Sequence, residues 1–125
     1  MGFLKKRKKR NKIEFSEYNK HKAKGGKNAS LLTAFDRMEY QIVNDDSKET
    51  LLKICDIILS GRAVLANFDR IDTDAANEML SFISGVVYAK EGEIYKLDKK
   101  LFLFGGKEEF EDGSLYQYVE DTKDV

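Results

Sequence analysis

Cysteine and histidine are nearly absent from this chain of 125 residues, with one of each. Cys55 has no second thiol to pair with, which fits a reducing cytoplasm. It falls on the apolar side of an expected helix, where a free thiol behaves as a small buried hydrophobe. His21 stands in a basic linker with no Cys or His beside it, a poor metal ligand and a poor general base. The chain also lacks a Gly-rich phosphate loop and a Ser-His-Asp set. The paired acids Asp72 with Asp74 and Glu91 with Glu93 sit where helix caps and solvated turns use them. No cofactor, metal or catalytic residue is therefore expected. No apolar run approaches the roughly 18 to 20 residues of a membrane span, and Met1 to Leu4 is too short for a secretory signal core. The sequence reads as a soluble chain that binds rather than catalyses.

What the chain has in abundance is charge, unevenly placed. Residues 1–27 carry eleven Lys or Arg against Glu14 and Glu17, a net of +9, and residues 28–125 carry eleven against twenty acids, a net of −9. A basic arm on an acidic domain suits an anionic polymer or surface. The arm opens with Phe3, Leu4 and then Lys5, Lys6, Arg7, Lys8, Lys9 and Arg10. Three readings fit it. Anionic lipid would attract each cation by about 1 kcal/mol near the surface, with Phe3 and Leu4 wedged in. Nucleic acid phosphates offer the same charge. A plain solvated charge run needs no partner. Gly2 does not make a myristoylation site, because Lys6 stands where that motif wants Ser or Thr.

The folded region is expected between residues 36 and 112, after a basic tail and linker (1–35) and before an acidic tail (113–125). Met38–Val43 alternates Met38, Tyr40 and Ile42 and reads as a first strand. Asp46 or Ser47 suits a helix N-cap, the apolar stripe Leu51, Leu52, Ile54, Cys55, Ile58 and Leu59 makes the helix amphipathic, and Ser60-Gly61 ends it. Arg62–Phe68 reads as a buried strand. Asp72 or Thr73 caps a second helix with apolar positions at Ala75, Ala76, Met79, Leu80, Phe82, Ile83, Val86 and Val87. Gly85 inside that pattern either ends the helix early or lets another backbone come close. A turn at Lys90–Glu93 leads into strands Ile94–Leu97 and Leu101–Phe104. The order is β-α-β-α-β-β. Beyond Gly105-Gly106, the residues Phe110, Leu115, Tyr116, Tyr118 and Val119 suit a short edge strand or a docked tail, with Glu120–Val125 frayed.

The stretch Arg62 to Phe104 resembles the core of the SepF family, bacterial cell-division proteins that link FtsZ to the membrane. The positions that carry the resemblance are Val64-Leu65-Ala66-Asn67, Phe82-Ile83-Ser84-Gly85, Val87-Tyr88-Ala89, Gly92 and Phe102-Leu103, and it covers about residues 38–112. It implies an α+β two-layer sandwich, two helices on a small mixed sheet, that forms homodimers and can assemble further, without enzymatic activity. It also implies an N-terminal segment on the inner membrane face at the division site, here Phe3 to Arg10. The core would bind the FtsZ C-terminal peptide through Ala76, Met79 and Leu80 on the helix and Tyr95, Lys96 and Phe102 on the strands. In physical terms, small Ala76 leaves a groove, Phe102 offers an apolar anchor and Lys96 pairs with an acidic peptide residue. Gly85 and Gly92 serve backbone geometry. The chain departs from the family pattern at Glu78 and Ser81, at Gly105-Gly106 in place of a proline, and in its short basic linker. The alternative function is a small nucleic-acid-associated protein that uses the basic arm, with the core as a dimerisation unit.

Overall fold

A computed structural model describes residues 32–123. The arm residues Phe3 to Arg10 and His21 lie outside them. The described chain runs α1 (Ala34–Arg37), β1 (Glu39–Ile42), α2 (Lys48–Leu59), β2 (Val64–Asn67), α3 (Thr73–Ala89), β3 (Glu93–Asp98), β4 (Leu101–Gly105), a 3-10 turn (Lys107–Phe110) and α4 (Ser114–Lys123). The strands form one mixed sheet in the order β1-β2-β4-β3. β1 runs parallel to β2, and β4 is antiparallel to both of its neighbours. This is an α+β fold with the expected β-α-β-α-β-β kernel.

Local chemistry accounts for the helix ends. Ser47 caps α2, its Oγ accepting from the Thr50 amide at 3.2 Å. The helix stops at Ser60, after which Gly61 adopts φ +95°, a conformation that costs glycine little. Asp72 caps α3, accepting from the Ala75 amide at 2.8 Å.

The sheet separates two apolar clusters. On one face α2 contributes Ile54, Cys55 and Ile58, and α3 contributes Ala76, Met79, Ile83 and Val87, packed on Val64, Ala66, Phe68 and Phe104. Phe68, Phe104, Ile58 and Ile83 are fully buried there, each worth about 1.5–3 kcal/mol relative to exposure. On the other face Ala34, Leu65, Leu103, Phe110, Leu115 and Val119 form the second cluster.

That second face corrects several sequence expectations. The stretch around Phe110 to Val119 makes no edge strand. It forms the 3-10 turn and α4, whose Leu115 and Val119 are buried at i, i+4 spacing. A helix layer thus lies on each side of the sheet rather than on one. The N-terminal end of the described chain is tied to this layer. The Asp112 carboxylate accepts from the Ala34 amide at 2.9 Å, and Ser114 Oγ accepts from the Phe35 amide at 3.0 Å. Leu52 and Leu59 are exposed rather than part of the α2 core stripe, and Tyr40 and Ile42 are exposed on β1. Gly85 neither ends α3 nor admits a neighbouring backbone. The helix continues to Ala89, and a Cβ placed at Gly85 would meet nothing within 4 Å. Gly92 differs. A Cβ there would collide with the carbonyl oxygen of Gly105, so the α3–β3 turn passes β4 too closely for a side chain.

Candidate peptide-binding surface

The period-2 alternation of a strand decides which predicted site residues can meet. On β3, Ile94 stands opposite Phe104, Tyr95 opposite Leu103, and Lys96 opposite Phe102. Phe102 and Phe104 belong to the face covered by α2 and α3, and Leu103 to the face covered by α4. Ala76, Met79, Leu80, Lys96 and Phe102 therefore share one side of the sheet, and Tyr95 is on the other.

Burial divides the shared-side group again. Ala76 and Met79 are 4% and 3% exposed and belong to the core. Leu80 and Phe102 are half-buried against the same cluster, Lys96 is exposed, and Ile94 is exposed beside it. On that side the accessible members are thus Leu80 on α3 and Phe102 and Lys96 on the strands, with Ile94 two residues from Lys96 on β3. Phe102 is held in place by aromatic contacts. Its ring stacks on Phe104 at 6.3 Å and meets Phe68 edge-on at 5.9 Å, geometries that favour a fixed ring. Lys96 is exposed and makes no ion pair among the described residues. Lys100, at the end of the β3–β4 turn, is committed, donating from Nζ to the Ile71 carbonyl at 2.7 Å.

Tyr95 has a different setting. Its hydroxyl donates to Glu93 Oε1 at 2.5 Å, and Tyr116 donates to Glu93 Oε2 at 2.5 Å. The Tyr95 ring packs against Phe110 and Tyr116. Burial, then the hydrogen bond to Glu93 and its charge, raise the Tyr95 hydroxyl well above the ordinary tyrosine range. This residue joins α4 to the sheet. Ile94, absent from the sequence-derived set, takes its place on the reachable side. The alternation Ile94-Tyr95-Lys96 in the sequence carried that signal, because adjacent strand residues cannot face one groove.

A polar cleft of about 350 Å³ opens elsewhere, between the end of α3 and the 3-10 turn, lined by residues including Lys90, Glu91, Lys107, Glu108 and Glu111. Its carboxylates make it a poor seat for an apolar anchor. Among the described residues no group of His, Cys, Asp and Glu is arranged to hold a metal ion, and no helix is long and apolar enough to cross a membrane.

Comparison with known proteins gives this geometry a context. Residues 45–106, which hold α2 through β4, match the family described as cell division protein SepF. The chain is similar to the cell division protein SepF of Lachnoclostridium phytofermentans, 36% identical over 66 residues, covering 53% of this chain and 32% of the relative. It is similar to that of Lactobacillus gasseri, 36% identical over 78 residues, 62% of this chain and 51% of the relative. With that of Carboxydothermus hydrogenoformans the match is 24% identical over 101 residues, 81% of this chain and 74% of the relative. The chain thus spans from about a third to three quarters of the length of these relatives. The matched segment contains β2, β3 and β4, three of the four strands, with both helices of the larger core, and by that match the chain belongs to the SepF family of cell division proteins.

Proposed function

We propose that this protein is a non-enzymatic division adaptor whose folded domain binds the C-terminal peptide of FtsZ while its basic N-terminal arm rests on anionic lipid at the inner membrane face, and that it works as a homodimer. The observation that carries this reading is Phe102, a half-buried, well-braced ring in a cell-division domain, beside Lys96, which makes no ion pair among the described residues. An apolar anchor with one adjacent charge suits a short peptide that carries an apolar residue and an acid. A net of +9 in residues 1–27 supports lipid attachment through charge, which weakens with salt.

Fluorescence anisotropy of a labelled FtsZ C-terminal peptide titrated with the full chain tests the adaptor part. Saturable binding, lowered at least about tenfold by Phe102→Ala, is the expected result. No binding to the folded protein removes the FtsZ reading. Sedimentation with anionic vesicles, with and without residues 1–10, tests the arm. Retention on DNA but not on vesicles at matched salt would shift it to nucleic acid.

A further inference from the structure

The turn between β2 and α3, Phe68-Asp69-Arg70-Ile71, is closed by the Ile71 amide, which donates to the Phe68 carbonyl at 3.2 Å. One residue of the β3–β4 turn holds both of its ends. The Lys100 carbonyl accepts from the Phe68 amide at 2.8 Å, and Lys100 Nζ donates to the Ile71 carbonyl at 2.7 Å. The residues in between are tied elsewhere, the Asp69 amide to Asn67 Oδ1 and Arg70 Nη1 to Asn44 Oδ1, each at 2.8 Å.

Local electrostatics gives no reason for a cation at this place. Ile71 immediately precedes Asp72, the N-cap of α3, so the ammonium stands beside the positive end of a helix dipole. Fixing a long flexible side chain also costs rotamer freedom. Lys100 makes no ion pair among the described residues. Lys99, beside it with the same charge, is exposed, whereas Lys100 is half-buried. Its two-point hold on the turn is what sets Lys100 apart.

The ends of that turn lead to the two elements of the proposed peptide site. Phe68 is fully buried, and its ring braces Phe102 edge-on at 5.9 Å. Ile71 packs on the larger core and leads into α3, which carries Leu80. We infer that Lys100 is a positioning residue for peptide binding. Its ammonium fixes the start of α3 against the β3–β4 hairpin, so that Phe102 and the α3 side chains are in place before the ligand arrives. A site arranged in advance gives up less freedom on binding. This inference rests on the peptide site proposed above and adds to it a residue that the ligand need not touch.

Lys100→Met keeps the stem and removes the donor. In anisotropy titrations of the labelled FtsZ C-terminal peptide with the full chain, it should raise Kd about five- to tenfold at low and high salt alike. Lys100→Arg, which retains a donor, should recover most of that loss, and Lys99→Met should leave Kd unchanged. Without peptide, Lys100→Met should speed hydrogen exchange at the Ile71, Ala75 and Ala76 amides, whose bonds lie in and just after the turn, and not within α2. Should Lys100→Met fail to fold, Lys100→Gln, too short to reach Ile71, is read in the same way. A loss that vanishes at high salt would make Lys100 a direct charge contact, and an equal loss from Lys99→Met would assign it to the charge of the turn. Either result overturns the positioning role. Weaker binding without faster exchange overturns it too, and unchanged affinity in the folded variant does so while leaving the peptide site standing. A wild type that binds no peptide overturns the site and this role with it.

Discussion

Lys96 lies directly across the β3–β4 ladder from Phe102, its side chain exposed while the ring is half-buried. The two are cross-strand neighbours, so a ligand that covers the ring has the ammonium at its margin. Lys96→Glu is expected to weaken the FtsZ peptide by about tenfold or more, because like charge replaces attraction. The loss should shrink as salt rises. Tyr95→Phe, one residue away but on the opposite face, should leave peptide affinity unchanged. Equal losses from the two variants would move the binding surface away from the α3 side.

Glu109 is the buried charged residue of the described chain, 5% exposed, and Arg37 Nη2 donates to both its oxygens at 2.8 and 3.0 Å. Removing the arginine strands a desolvated carboxylate under the 3-10 turn. Arg37→Ala should therefore cost about 2–3 kcal/mol, allowing for the partly exposed Arg side chain. Arg37→Met combined with Glu109→Gln should recover a good part of that. Urea denaturation of the two variants checks both numbers. A double variant no more stable than the single one would mean that the pair does more than neutralise a buried charge.

Two glycines of similar appearance in the sequence should respond oppositely to alanine. At Gly92 the new Cβ would strike the Gly105 carbonyl oxygen, which is backbone and cannot rotate away. Gly92→Ala is expected to destabilise by about 3 kcal/mol or more. At Gly85, an exposed helical position with open space, alanine should stabilise by about 0.5–1 kcal/mol. Thermal midpoints moving in the same direction would contradict the described packing of the α3–β3 turn.

This contrast shows what the sequence could carry. The kernel was legible because its signals are local: Ser47 and Asp72 as caps, Gly61 as a stop, and the period of Ile54, Cys55 and Ile58. α4 was not, since Leu115 and Val119 sit among acids and tyrosines that dilute the apolar stripe, and only the second sheet face supplies a partner. Gly85 misled because a helix tolerates one glycine at modest cost. For the site, Lys96 and Phe102 entered through the family resemblance, and the ladder sets them opposite one another. The inclusion of Tyr95 neglected strand alternation, and the burial of Ala76 and Met79 depends on packing that no local pattern fixes.

The hydroxyl of Tyr95 predicts how stability should depend on alkali. Burial and the neighbouring Glu93 keep it protonated in the folded protein well beyond the ordinary tyrosine value of about 10. Tyr118 is raised as well, by burial and then Tyr40, and Cys55 by burial and then Asp56. In the unfolded chain each group loses its proton at its usual pH, so above that point the folded state holds more protons than the unfolded one. The contribution is complete below the unfolded value and is lost as pH rises toward the folded one. Tyr95→Phe has no proton to retain. Its urea midpoint should therefore fall less steeply than that of the wild type above about pH 10. Parallel profiles for the two proteins would place the retained proton elsewhere and separate Tyr95 from the alkaline transition.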